Sequence, residues 1–206
     1  METITILKII ILIMSIVIHE VSHGYAALAL GDVTAKYAGR LTLNPVKHLD
    51  IFGSIVLPLL LLMTGTGFIV GWAKPVPYNP YNLRNQRWGE LVVAIAGPLS
   101  NICLAVIFGL LVRFAVLLSL PASFVGLALV IVIINLVLAV FNLIPIPPLD
   151  GSKVLLSLLP TEQMMKVKAF YERSGLLLIM VVFFVAWNFI WPIVSVLAGL
   201  ITGFSV

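Results

Sequence analysis

Two histidines four residues apart flank a glutamate in His19-Glu20-Val21-Ser22-His23. On a helix, side chains four apart project about 40° from one another, so both imidazoles share a face and can chelate one Zn²⁺. Glu20 stands at the edge of that face, where its carboxylate can take a proton from water without being a ligand. A catalytic zinc takes three protein ligands and keeps a fourth position open. One ligand is therefore missing from the motif.

The chain has only three histidines and eight acidic residues from which to supply it. His48 would complete a three-histidine set, but it lies in a polar stretch beside Asn44-Pro45 and Asp50, where bracing a loop is its ordinary role. Asp150 is better placed, because it follows a proline-broken segment and precedes Gly151, where backbone can approach closely. Two imidazoles with one carboxylate suit zinc.

The motif sits inside an apolar run from Ile4 to Leu30. An ionisable side chain at the centre of a bilayer costs roughly 2.5 to 3.5 kcal/mol on insertion scales, so such a cluster implies function. Of the 206 residues, 62% are hydrophobic and 10% charged, and the mean hydropathy is +1.20, which excludes an ordinary water-soluble surface. The net charge of +4 is dispersed among loops and helix ends, which fits juxtamembrane placement and not nucleic-acid binding. The lone Cys103 excludes an intrachain disulfide and a multi-cysteine metal site. Lys8 and His19-Glu20 interrupt the first run, which reads as a retained membrane helix and not a signal peptide.

Gly31-Asp32 ends that helix, and Val33, Thr34, Tyr37 and Leu41 to Leu43 favour a short β-hairpin or edge strand before Asn44-Pro45. The apolar run Ile51 to Val70, carrying Pro58, Gly65 and Gly67, either spans or re-enters. Gly71 to Gly89 is an aromatic and basic interfacial loop. Apolar helices are expected from Glu90 to about Leu120, stopped by Pro121, and from Ser123 to Leu143. Pro145, Pro147 and Pro148 then forbid regular helix, and such backbone at membrane depth must be buried in protein or line a cavity. A short helix over Ser152 to Leu159, a polar link through Arg173 and an apolar stretch from Gly175 to Phe204, kinked at Pro192, complete the chain. The expected fold is an all-α polytopic membrane protein of about five to six membrane segments. It forms one domain over 1–206, with a catalytic core at about 4–160 and a C-terminal membrane helix or helices at about 175–204. Lysine and arginine counts place the N-terminus inside if 51–70 spans.

The sequence resembles the site-2 protease family of intramembrane zinc metalloproteases. The likeness is carried by His19-Glu20-Val21-Ser22-His23 and by Asn142-x-x-Pro145-x-x-x-x-Asp150-Gly151, with support from Ala96-Gly97-Pro98, Asn101 and Gly71-Trp72-Ala73-Lys74-Pro75-Val76-Pro77. The resemblance implies that His19, His23 and Asp150 bind one Zn²⁺ per chain, that Glu20 is the general base, and that Asn142 helps hold the substrate. Asn101 would contact substrate or, as intramembrane asparagines usually do, hydrogen-bond a neighbouring helix.

By the same resemblance the substrate is a membrane protein with a helical transmembrane segment, cut within or beside the bilayer of a bacterial or archaeal cell. The activity would be regulated intramembrane proteolysis or clearance of signal-peptide remnants. A helical substrate must unwind, and extended backbone at Gly71 to Val76 or in the 33–43 hairpin would pair the freed strand. With no PDZ or CBS module in the sequence, selection falls to the membrane domain itself or a regulatory membrane partner. Two rivals stand beside this reading: a non-catalytic zinc-binding scaffold, against which Glu20 argues, and a metal or proton transporter. A transporter would show paired broken helices, and only one break is evident.

Overall fold

The computed structural model describes residues 2–56 and 73–204. Six α-helices follow in order among these: α1 (Glu2–Ala29), α2 (Thr34–Tyr37), α3 (Gln86–Arg113), α4 (Ala122–Asn142), α5 (Asp150–Leu158) and α6 (Thr161–Thr202). Three carry a span long and apolar enough to cross a membrane: Thr5–Ala29, Gln86–Arg113 and Ala122–Asn142. The expected five to six spans are not reached among the described residues, and the run from Leu57 to Val70 lies outside them, as do Gly71 and Trp72.

Where a β-hairpin or edge strand is expected, there is none. Thr34–Tyr37 form one helical turn, Gly39 takes a positive φ of 63°, and Pro45–His48 form a 3-10 turn. The reason is Asp32, which is fully buried and collects the donors around it. Its Oδ1 accepts from Thr34 N (3.1 Å), Thr34 Oγ1 (2.5 Å) and Asn82 Nδ2 (2.9 Å), and its Oδ2 accepts from Asn79 N (2.7 Å). Asp32 and Thr34 thus start a helix where β-propensity favours a strand. Burial acts to raise the Asp32 carboxyl, but the hydrogen bonds from Thr34, Asn82 and Asn79 outweigh it and hold it below the usual carboxylate range.

α3 is the hub, packing against α1, α4, α5 and α6. Asn85 caps its start by accepting from Trp88 N, and it ends at Arg113, well before Pro121, through turns over 114–119. Mostly small and β-branched side chains make the common core, with Ala105 of α3, Val132 and Leu136 of α4, and Ile190, Val194 and Ala198 of α6. Such residues let helix axes approach closely, which is how helices associate inside lipid.

The polar amphipathic link expected before the last membrane segment is helical and continuous with it, since α6 runs unbroken from Thr161 through Gly175 and Pro192 to Thr202. Single glycines do not stop a helix whose neighbours supply enough contact. The proline-broken stretch after α4 is non-helical, as expected, and includes a cis Pro147-Pro148 peptide.

Candidate metal centre

α1 carries His19 and His23 on the face that meets α3, and α5 delivers Asp150 as its first helical residue. Both ends of α5 are tied down. At its start, a Cβ on Gly151 would collide with the main-chain oxygen of Leu143, so only glycine lets α5 begin this close to the broken segment. At its end, Arg87 of α3 donates from Nε to Ser157 O (2.7 Å) and from Nη2 to Leu159 O (2.8 Å), capping the terminal carbonyls. Tyr171 of α6 donates from its hydroxyl to Pro145 O (2.5 Å), fixing the broken segment from a third side.

The result is a triangle of three atoms. His19 Nε2 lies 3.1 Å from Asp150 Oδ2 and 3.1 Å from His23 Nε2, and His23 Nε2 lies 3.2 Å from Asp150 Oδ2. Four ligands held tetrahedrally at about 2.0 to 2.1 Å from zinc are separated by about 3.3 Å, so the triangle has the size of one face of that coordination shell. All three residues are buried.

The other ring nitrogens define the tautomers. His23 Nδ1 is 2.6 Å from Val93 O, and a main-chain carbonyl only accepts, so this nitrogen carries the proton. For His19 the assignment runs through two asparagines. Asn135 donates from Nδ2 to Ile131 O (2.9 Å) and to Ser15 Oγ (3.0 Å), so the opposite end of its amide, Oδ1, faces Asn101. Asn101 Nδ2 donates to that oxygen at 2.8 Å, leaving Asn101 Oδ1 to accept from His19 Nδ1 at 2.6 Å. Both imidazoles are therefore protonated on Nδ1, and two Nε2 lone pairs and a carboxylate oxygen converge on one point. Three electron-rich atoms this close need a cation between them, and the donor set suits zinc.

Gly97 makes the room. A Cβ there would strike His23 Nε2, and would lie 2.6 Å from both Cε1 and Nε2 of His19. The glycine of Ala96-Gly97-Pro98 is what lets α3 pass across the imidazole pair.

Glu20 does not join the triangle. Its Oε2 accepts from Val76 N at 2.9 Å, so the irregular segment at 73–79 reaches Glu20 through its main chain. Asn142 is half-buried, and its Nδ2 donates back to Leu138 O (2.9 Å) within its own helix. Asn101 is fully buried behind His19, bonding a neighbouring helix. His48 is brought to Thr42 O, 2.8 Å from its Nε2, and braces its loop apart from the cluster formed by His19, His23 and Asp150. Sequence reasoning passed over Asn135, Ser15 and Gly97's specific task. The signal for Asn135 was present, because an asparagine within a segment of mean hydropathy 3.1 must find a partner.

Comparison with known proteins meets this geometry. The model of peptidase family M50 matches residues 118–187, which include Asn142, Asp150 and Gly151. A Bacillus subtilis protein named "Putative zinc metalloprotease YwhC" is 40% identical over 195 residues, covering 91% of this chain and 85% of that protein. The chain belongs to peptidase family M50, the site-2 proteases. The Rip2 protein of Mycolicibacterium smegmatis, named in the same way, is 33% identical over 68% of the chain and 52% of its own length. MJ0611 of Methanocaldococcus jannaschii is 40% identical over 47% of each. No solved structure matches the chain. This M50 chain is thus a membrane metallopeptidase of a zinc-dependent family, and its convergent donor atoms suit that metal.

Proposed function

We propose that this M50 peptidase is an intramembrane endopeptidase, hydrolysing peptide bonds in or beside the transmembrane segments of other membrane proteins. The products would be a released membrane-tethered regulator or cleared signal-peptide remnants. The observation that carries the reading is the convergence of His19 Nε2, His23 Nε2 and Asp150 Oδ2, with both histidines on a helix long and apolar enough to cross a bilayer.

His19, His23 and Asp150 would hold the zinc. When bound, the metal supplies Lewis acidity to the reaction. Glu20 takes a proton from the attacking water and returns it to the departing amide nitrogen, with the Val76 N–H holding its carboxylate until substrate enters. Asn142 turns away from Leu138 O to reach the scissile carbonyl.

A substrate helix must unwind first, because each of its carbonyls is tied to an N–H one turn on. Pairing of the freed strand at 74–77 meets a specific obstacle. Lys74 N is used by His48 O (2.8 Å), Val76 N by Glu20, and Pro75 and Pro77 have no N–H. An incoming strand gains a donor there by taking Val76 N–H from Glu20, which would couple substrate entry to release of the base.

The test is cleavage of a model membrane substrate by purified protein and by Glu20→Gln, with zinc content measured in both. The variant should keep its zinc and lose cleavage by about 10²-fold or more. Cleavage at the wild-type rate by the zinc-loaded variant would refute the mechanism.

A further inference from the structure

The segment that contacts Glu20 also borders a cavity of about 500 Å³, lined by Arg40, Lys47 and Lys74 together with Val46, Leu49 and Pro77. Arg40 is only 8% exposed. Its Nη2 donates to Lys74 O (2.5 Å) and Pro75 O (3.3 Å), while its Nε is buried with no partner. Among the described residues no carboxylate forms an ion pair with any of the three cations. Three like charges around one cavity repel. An anion in the cavity relieves that repulsion.

The setting indicates which anion. The loop that builds the cavity follows α1 directly, so it lies at the end of a membrane-crossing helix, where headgroups are found. Its lining exposes apolar side chains, with Val46 69% and Leu49 41% accessible. Basic side chains beside an apolar lip match a phospholipid, with its phosphate on the cations and its acyl chains leaving over the rim. The cavity also exceeds what a lone carboxylate of a substrate would fill.

We propose that this cavity binds the phosphate of an anionic phospholipid. Arg40 holds the carbonyls of Lys74 and Pro75, and the next residue donates to Glu20, so a phosphate beside the Arg40 guanidinium steadies the backbone that orients Glu20.

The binding readout is independent of the protease reading. The full chain is placed in phosphatidylcholine nanodiscs with increasing phosphatidylglycerol, and retained lipid is read by native mass spectrometry. Preferential retention of one phosphatidylglycerol per chain is expected. Lys47→Gln with Lys74→Gln, two exposed positions, should weaken retention about 25-fold, about fivefold for each charge, with an unchanged melting temperature. Equal retention of the two lipids, or wild-type retention by the double variant, overturns the proposal. So does displacement of the lipid by millimolar inorganic phosphate, which marks a small-anion site, or by an acidic peptide, which marks a substrate contact.

Discussion

Replacing Asn135 by leucine tests whether a residue two contacts away from the candidate metal ligands governs them. Asn135 is fully buried and never approaches the triangle. Its leverage comes from orientation, since Ile131 O and Ser15 Oγ hold its Nδ2, its Oδ1 holds Asn101 Nδ2, and Asn101 Oδ1 then holds the His19 Nδ1 proton. Leucine keeps the volume and removes the acceptor for Asn101. The remaining contact of Asn101 Nδ2, Ser15 O at 3.5 Å, is at the limit of a hydrogen bond. The amide is then free to reverse and present Nδ2 to the imidazole, which moves the His19 proton to Nε2 and removes a lone pair from the site. Loss of such a supporting contact costs roughly 10- to 100-fold in metal affinity. The stranded donor adds about 1 to 3 kcal/mol of destabilisation, so both quantities need measuring. The assay is chelator competition for zinc on purified protein, with ¹⁵N chemical shifts of His19 reporting the tautomer. Ser15→Ala, which leaves Ile131 O in place, should change affinity less. Should Asn135→Leu fold, keep the Nδ1–H tautomer and bind zinc within about threefold of wild type, the relay would have no part in tuning the site.

Gly97→Ala should raise intrinsic helix propensity by about 1 kcal/mol yet lower zinc occupancy by at least about 10²-fold, because its Cβ needs the space of His19 Nε2 and His23 Nε2; metal analysis of the folded variant reads this. Removing zinc with a chelator should lower the melting temperature of wild type, by the equivalent of about 2.7 kcal/mol from a starting concentration near 100 times Kd, and should barely move His19→Ala with Asp150→Ala. Asp32 has a folded value held below its unfolded one, so its contribution is fully present above about pH 4 and is lost as pH falls through the folded value. Asp32→Ala should cost about 2 to 4 kcal/mol near neutral pH and flatten the acid limb of stability against pH, as followed by melts between pH 3 and 7.

Local pattern was enough to point to the chemistry. His19 and His23 share a face because of helix geometry alone, their apolar surroundings demand a reason for the charge, and three prolines in four positions announce a break that ends in Asp150-Gly151. Membrane helices also follow from composition, since lipid forces every backbone group to pair within its own segment. Where tertiary partners compete with local preference, the pattern misled. The stretch after Gly31 has strand-forming side chains, but a buried Asp32 gathers Thr34, Asn79 and Asn82 and turns the chain into a helical turn. Whether His48 or Asp150 stands beside His19 and His23 was likewise a question of distance, set by the Gly151 contact at the start of α5, by Arg87 of α3 at its end, and by Thr42 O, which holds His48 elsewhere. The tautomers needed still more, because they depend on hydrogen bonds that link α1, α3 and α4 across 34 to 120 residues of chain. Sequence determines which groups are available and which helix face they occupy; only packing decides which atoms face each other, because a hydrogen bond or a metal site is settled within a few tenths of an ångström.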